Sequence, residues 1–441
     1  MSSAKPRLGI LCGGGPAPGI NSAISAATIE AINTGWEVVG IRDGFRHLIA
    51  GRTGEVELLS IPYVSRIHGN GGSILGIARD NPTLKEAGAP DPAWRMTRTT
   101  ESIRSLALDA LLTIGGDGTA HSAQRVCEAM GGRLPTVHIP KTIDNDLPLP
   151  AGKSTFGFQT ARSVGAAIVE NLMTDAMTTR RWFFVVAMGR SAGHLALGIA
   201  KAAGATLAVL AEEFPREAPI RLDHVVDVLE TSMLKRTAHG RPFGVAVLSE
   251  GIGLRLPIED VNRVEPDCER DQHGNLRLSE LHLHRLLTRL ARARFRARGQ
   301  DVSIVAKSIG YELRCARAIP FDVEYTRDLG CGAIEYLRRL RGGERREPGG
   351  MVAIEEGRLH PMPFGTFTDP VTGRTLVREV DITTESYAVA RKYMIRLERD
   401  DLEDSGKLAA IAEAAKLAPA EFRARYAHVV EGAATLSASR A

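Results

Sequence analysis

The chain has 441 residues, of which 44% are hydrophobic and 24% charged, and a formal net charge of +4. That length exceeds one ordinary core and predicts two or three α/β lobes, while the mild positive excess demands no nucleic acid. No run of 18 or more apolar residues offers a membrane span, and Met1–Arg7 lacks the apolar stretch of a secretory leader.

Strands and helices alternate from the start. Arg7 to Leu11 is predicted as a buried strand, followed by the turn Gly13-Gly14-Gly15-Pro16-Ala17-Pro18-Gly19 and a helix from Ile20 to Asn33. Strands follow at Val38–Ile41 and at Ala110–Ile114, the second ending in Gly115-Gly116-Asp117-Gly118-Thr119. A helix over Ala120–Met130 leads to the strand Thr136–Ile139 and to Pro140-Lys141-Thr142-Ile143-Asp144-Asn145-Asp146. Such alternation implies a mostly parallel sheet covered on both faces.

The pattern then restarts. Strands are expected at Trp182–Ala187, Thr206–Leu210, Phe243–Leu248 and Val302–Ala306. Helices are expected from Gly193 to Ala203, from Val225 to Lys235 and from Leu278 to Arg298. Linker-like composition marks Ala87–Pro92, Arg255–Asn275 and Arg341–Gly350, and the alanine-rich tail from Ala409 suits one or two helices. The basic runs Arg292–Arg298 and Arg338–Arg346 lack aromatic interleaving and fit solvated faces. Five cysteines (Cys12, Cys127, Cys268, Cys315, Cys331) form no CxxC pair, which suits reduced thiols and a cytoplasmic location.

In parallel α/β sheets ligands bind beyond the carboxyl ends of the strands, where glycine lets backbone N–H groups approach phosphate. Turns 13–19, 115–119 and 188–190 are at such ends. The first is not a strict GxGxxG, which argues against a dinucleotide oxidoreductase even with Asp43 near the second strand. Gly152-Lys153-Ser154-Thr155 imitates the end of a P-loop, but Leu147 stands where that loop needs glycine. Phosphoryl transfer needs positioning, charge neutralisation and a base for the attacking hydroxyl. Asp117 can approach a magnesium ion, Asp144 can accept a hydroxyl proton, and Lys141 and Arg190 can neutralise the moving group.

Together these segments resemble the phosphofructokinase family. The matching pieces are Gly14-Gly15-x-x-Pro18-Gly19, Gly115–Thr119, Pro140–Asp146, Met188-Gly189-Arg190-x-x-Gly193, Ser249-Glu250-Gly251 and Gly310-Tyr311-x-x-Arg314. The resemblance implies two doubly wound α/β lobes with mostly parallel sheets and an active site in the cleft between them. It divides the chain into 1–155 with about 313–370 for the phosphoryl donor, 156–312 with about 385–415 for the sugar phosphate, and a helical tail 416–441. It implies that Asp144 is the proton acceptor, flanked by Thr142, Ile143 and Asp146, with Lys141 and Arg190 stabilising transferred charge. Asp117 would bind Mg2+, and Gly14, Arg79, Gly116, Asp117, Gly118 and Thr119 the donor. Met188, Gly189, Arg190, Glu250, Tyr311 and Arg314 would bind fructose 6-phosphate or a related sugar such as sedoheptulose 7-phosphate. Arg181 would be lent to the site of a neighbouring subunit in a homodimer or homotetramer.

Two positions bear on the donor. Gly118 stands where pyrophosphate-dependent relatives usually carry an aspartate that would repel ATP, whereas Lys141 is a residue those relatives use. The open space at Gly118 is taken as the harder constraint, so ATP is preferred and pyrophosphate is the alternative. A catalytically inactive nucleotide-sensing or regulatory subunit is the rival of another class, and the presence of Asp117, Asp144 and Arg190 together argues against it.

Overall fold

The computed structural model describes residues 5–85, 91–264, 281–342 and 348–438. The chain folds into two compact units, 1–161 with 311–378 and 162–310 with 379–441. Its strands are β1 (Arg7–Cys12), β2 (Glu37–Ile41), β3 (Val56–Leu59), β4 (Ala110–Gly115), β5 (Thr136–Thr142) and β6 (Phe156–Gly157), then β7 (Trp182–Ala187), β8 (Leu207–Val209), β9 (Gly244–Ser249), β10 (Ile304–Ile309), β11 (Gly349–Glu355) and β12 (Arg358–Pro363). The helices used below are α1 (Ile20–Asn33), α2 (Asp117–Ala129), α3 (Phe158–Thr179), α4 (Leu222–Ala238), α5 (Pro320–Arg341) and α6 (Pro419–Ala438).

The first unit carries a mixed, mostly parallel sheet in the order β12-β11-β5-β4-β1-β2-β3, with β6 beside β5. Only β3 and β12 run antiparallel to their neighbours. Alternation along β1 buries both faces. Leu8, Ile10 and Cys12 join the core under α1 and α5, while Leu11 faces the opposite layer with Ile103 and Val126. Helices α1 and α5 pack closely because residue 330 is glycine: a Cβ there would lie 2.7 Å from that of Ala26. The carboxylate of Asp322, fully buried at the start of α5, accepts hydrogen bonds from the N–H groups of Gly157 (3.0 Å) and Thr160 (2.7 Å) and from the Thr160 hydroxyl (2.5 Å). It thereby fixes the start of α3 to the first unit's own core.

The second unit has a four-stranded, wholly parallel sheet, β10-β7-β9-β8. The expected Val302–Ala306 strand is displaced to Ile304–Ile309. This is an edge strand whose Lys307 and Ser308 are not buried, so its apolar signal is weak. The expected Leu278 helix is described from Leu283 onward. The tail forms helices at Ser405–Ala415 and α6, and Phe422 and Tyr426 of α6 are fully buried in this unit's core. Cys268 and parts of all three linker-like stretches lie outside the described residues. Among the described residues no helix is long and apolar enough to cross a membrane.

Replacing Asp322 with alanine strands three buried donors. We expect urea unfolding to show a loss of about 1–3 kcal/mol, with an unaltered midpoint refuting the role of this carboxylate.

Candidate active site

Parallel pairing of β1, β4 and β5 brings three loops to one edge of the first sheet, with Cys12 opposite Ile114 and Gly115 opposite Pro140. Beyond β1, the Gly13 N–H bonds the Ile114 carbonyl (2.9 Å) and the Gly14 N–H that of Ala78 (3.0 Å). A side chain at Gly13 would meet the Thr119 hydroxyl at 2.5 Å, and Gly14 adopts a φ of +85° that other residues avoid. Arg79 is exposed on the residue after Ala78. Beyond β4, Gly116 caps α2 in an extended conformation and no side chain caps it, so first-turn N–H groups remain for an anion. Asp117 begins that turn. A Cβ on Gly118 would meet nothing within 4 Å.

Lys141, at the end of β5, is buried, and its ammonium donates to the Gly15 carbonyl. Burial lowers its pKa to about 8, against the pull of the nearby Cys12, Asp144 and Asp146 and with the push of Arg314. A Cβ at Gly15 would lie 3.3 Å from the Arg314 guanidinium carbon, and that guanidinium stacks 5.1 Å from the exposed ring of Tyr311. The Thr142 hydroxyl accepts the Asp144 N–H at 3.0 Å. Ile143 is buried, so only its backbone can meet a ligand.

Asp146 is buried and its Oδ1 has no hydrogen-bond partner. Burial, then the charge of Asp117, pushes its carboxyl above the usual range. Two neighbouring carboxylates, one with an orphaned buried oxygen, suit a divalent cation that keeps most of its waters. Among the described residues no group of three or more acidic, histidine or cysteine side chains could hold a metal.

The second unit supplies a separate turn. Beyond β7, Gly189 (φ +136°) donates its N–H to Glu250 Oε2 at 3.0 Å, and Arg190 lies 3.8 Å from Glu250 Oε1. A Cβ on Gly310 would be 2.6 Å from that of Met188, so glycine is needed there. Arg181 precedes β7, at the opposite end of that strand and about 20 Å of chain from Met188. It is not joined to that turn and pairs loosely with Asp175, at 3.9 Å.

Sequence reasoning missed two residues that shape the first unit's loops. His138 is fully buried in β5 and bonds the Gly115 carbonyl (3.0 Å) and the Thr113 hydroxyl (2.8 Å). Burial depresses its pKa to about 3, so it remains neutral. A polar residue interrupting an apolar strand was its only signal. Arg378 bonds the carbonyls of Asn145 (3.0 Å) and Lys153 (2.7 Å) and the Asn145 side chain, while its own N–H meets the Asp146 carbonyl at 2.7 Å. Asn145 itself adopts a left-handed φ of +58°, which asparagine accepts, and Arg378 closes the loop from 145 to 153. No sequence signal connects positions 233 apart.

Comparison with known proteins gives a consistent placement. The family model described as Phosphofructokinase matches residues 7–337. A pyrophosphate–fructose 6-phosphate 1-phosphotransferase of Thermotoga maritima is 52% identical over 96% of this chain and 99% of its own. One of Naegleria fowleri is 42% identical over 97% and 96%. An ATP-dependent 6-phosphofructokinase of Chloroflexus aggregans matches at 36% over only 57% of this chain and 66% of its own. The crystal structure of a pyrophosphate-dependent phosphofructokinase from Marinobacter aquaeolei superposes with a TM-score of 0.61, covering 88% of this chain and 90% of that one at 17% identity.

Arg378→Ala should free the loop from Asn145 to Lys153. Amide hydrogen exchange there is expected to accelerate about tenfold or more while the β4 amides keep their protection. Equal exchange in both proteins would remove Arg378 as the clamp.

Proposed function

The chain belongs to the phosphofructokinase family, and on that premise we propose that it transfers a phosphoryl group from pyrophosphate to the 1-hydroxyl of fructose 6-phosphate. The observation that carries this reading is the Lys141 ammonium held beneath Gly14 and Gly15 beside Asp144 and Asp146. It supplies a fixed positive charge where a small, highly charged donor would bind, without any need for a nucleoside handle.

The ATP preference drawn from Gly118 gives way here. An open position has no charge and no contact, so it admits a nucleotide without selecting one. The relatives that match almost the whole chain are named for pyrophosphate, whereas the ATP-dependent match covers little over half of it.

In the proposed reaction the sugar hydroxyl loses its proton to Asp144, its oxygen attacks phosphorus, the P–O bond of pyrophosphate breaks and orthophosphate leaves. The first-turn N–H groups of α2 and the Gly14–Gly15 backbone bind donor oxygens, and Lys141 neutralises charge on the transferring group. Asp117 and Asp146 are the residues that would hold Mg2+, whose chemistry is to neutralise phosphate oxygens. To Gly189, Arg190 and Glu250 we assign binding of the sugar phosphate, with Arg314 and Tyr311 as further candidates for its 6-phosphate. Oligomerisation, with Arg181 lent to a neighbour, remains part of the same proposal.

Assays of the purified protein with each donor are expected to give turnover with pyrophosphate and little with ATP; ATP-only activity would reverse the assignment. Asp144→Ser should lower kcat by about 10²–10⁴-fold, and unchanged turnover would remove Asp144 as the base. Lys141 carries its charge below its depressed pKa and loses it as pH rises. The pyrophosphate kcat/KM should therefore decline above about pH 8. Lys141→Arg should abolish that basic limb, and a limb persisting in the variant would assign it to another group.

A further inference from the structure

Resting on the pyrophosphate reading, we infer that the hairpin from Phe367 to Arg378 sets the size of the donor by covering the flank of α2 beyond the phosphate-binding turn. Asp117, His121 and Gln124 are spaced so that they share one face of α2. The hairpin touches all three. The Thr375 hydroxyl donates to the Asp117 carbonyl (3.2 Å), the Gly373 backbone lies beside the His121 ring, and the Thr368 hydroxyl donates to Gln124 Oε1 (2.9 Å).

The cover is a built structure. Thr368 and Thr375 pair antiparallel, the Asp369 N–H bonds the Arg374 carbonyl (2.8 Å), and the Leu376 N–H bonds the Phe367 carbonyl (2.9 Å). One end is pinned by Phe367, buried with Phe364 against Ala120 and Ala123 of α2, and the other by Arg378 on the 145–153 loop. A pyrophosphate needs only the first turn of α2. A nucleoside triphosphate held by its terminal phosphates must find room for its sugar and base further out, and this face of the next two turns is taken by protein. Gly118, about 100° round the helix, stays open, so the hairpin limits the reach of the donor and leaves its phosphates accessible. Steric cover thus does the excluding that a charged side chain at position 118 would otherwise do.

The test is a variant in which Asp369–Arg374 is replaced by Gly-Gly, a two-residue loop that suits the Thr368–Thr375 pairing. Its ratio of kcat/KM for ATP to that for pyrophosphate is expected to rise about tenfold or more over wild type, with pyrophosphate turnover largely kept. An unchanged ratio with pyrophosphate turnover kept overturns the inference and leaves the donor assignment standing, as does loss of pyrophosphate turnover without gain on ATP. Wild-type protein that prefers ATP overturns both. Should the shortened variant fail to fold, Thr368→Ala/Thr375→Ala keeps the hairpin and cuts two ties to α2. A raised ratio in that variant supports the inference, and an unchanged one overturns it.

Discussion

The organisation of the first unit follows from one constraint: a lysine ammonium has been taken out of water and must be satisfied by what surrounds it. A buried cation without partners costs several kcal/mol, so the elements around Lys141 are those that offset its charge. The Gly15 carbonyl accepts from it, and the carboxylates of Asp144 and Asp146 hold it protonated against its burial. Three sequence features that look independent are therefore one arrangement: the glycine turn after β1, the lysine at the end of β5, and the paired aspartates just beyond.

Around that arrangement stands a layer that orients it. His138 holds the Gly115 carbonyl, Thr119 fills the space that Gly13 and Gly115 leave, and Arg378 gathers the loop that carries the aspartates. Neutral His138 suits its place, because a second buried cation near Lys141 would compete for the same carboxylates. The orphaned Oδ1 of Asp146 is the complementary deficit on the acidic side, and the charge of Asp117 adds to it.

The residues beyond 340 extend the first sheet by β11 and β12 before they reach α2 and the 145–153 loop. A segment that began as sheet edge thus ends against the helix that follows Gly116. On the proposed reading, the two donor signals in the sequence, Gly118 for nucleotide and Lys141 for pyrophosphate, are reconciled by the cover that Thr368 and Thr375 place on α2.

The sequence by itself determined the family, the alternation of strands and helices, and the loops that carry Asp117, Lys141, Asp144 and Arg190. Each of these is written in local spacing: an apolar strand, a glycine turn, a helix start. Tertiary structure alone decided that Asp146 loses its solvent, that Arg314 stands against Gly15 and that Arg378 clamps Asn145. It also decided that the Thr368–Thr375 hairpin covers α2. The physical reason is that packing and hydrogen bonding between residues more than 200 positions apart depend on how the sheet is ordered, and strand order leaves no periodicity along the chain.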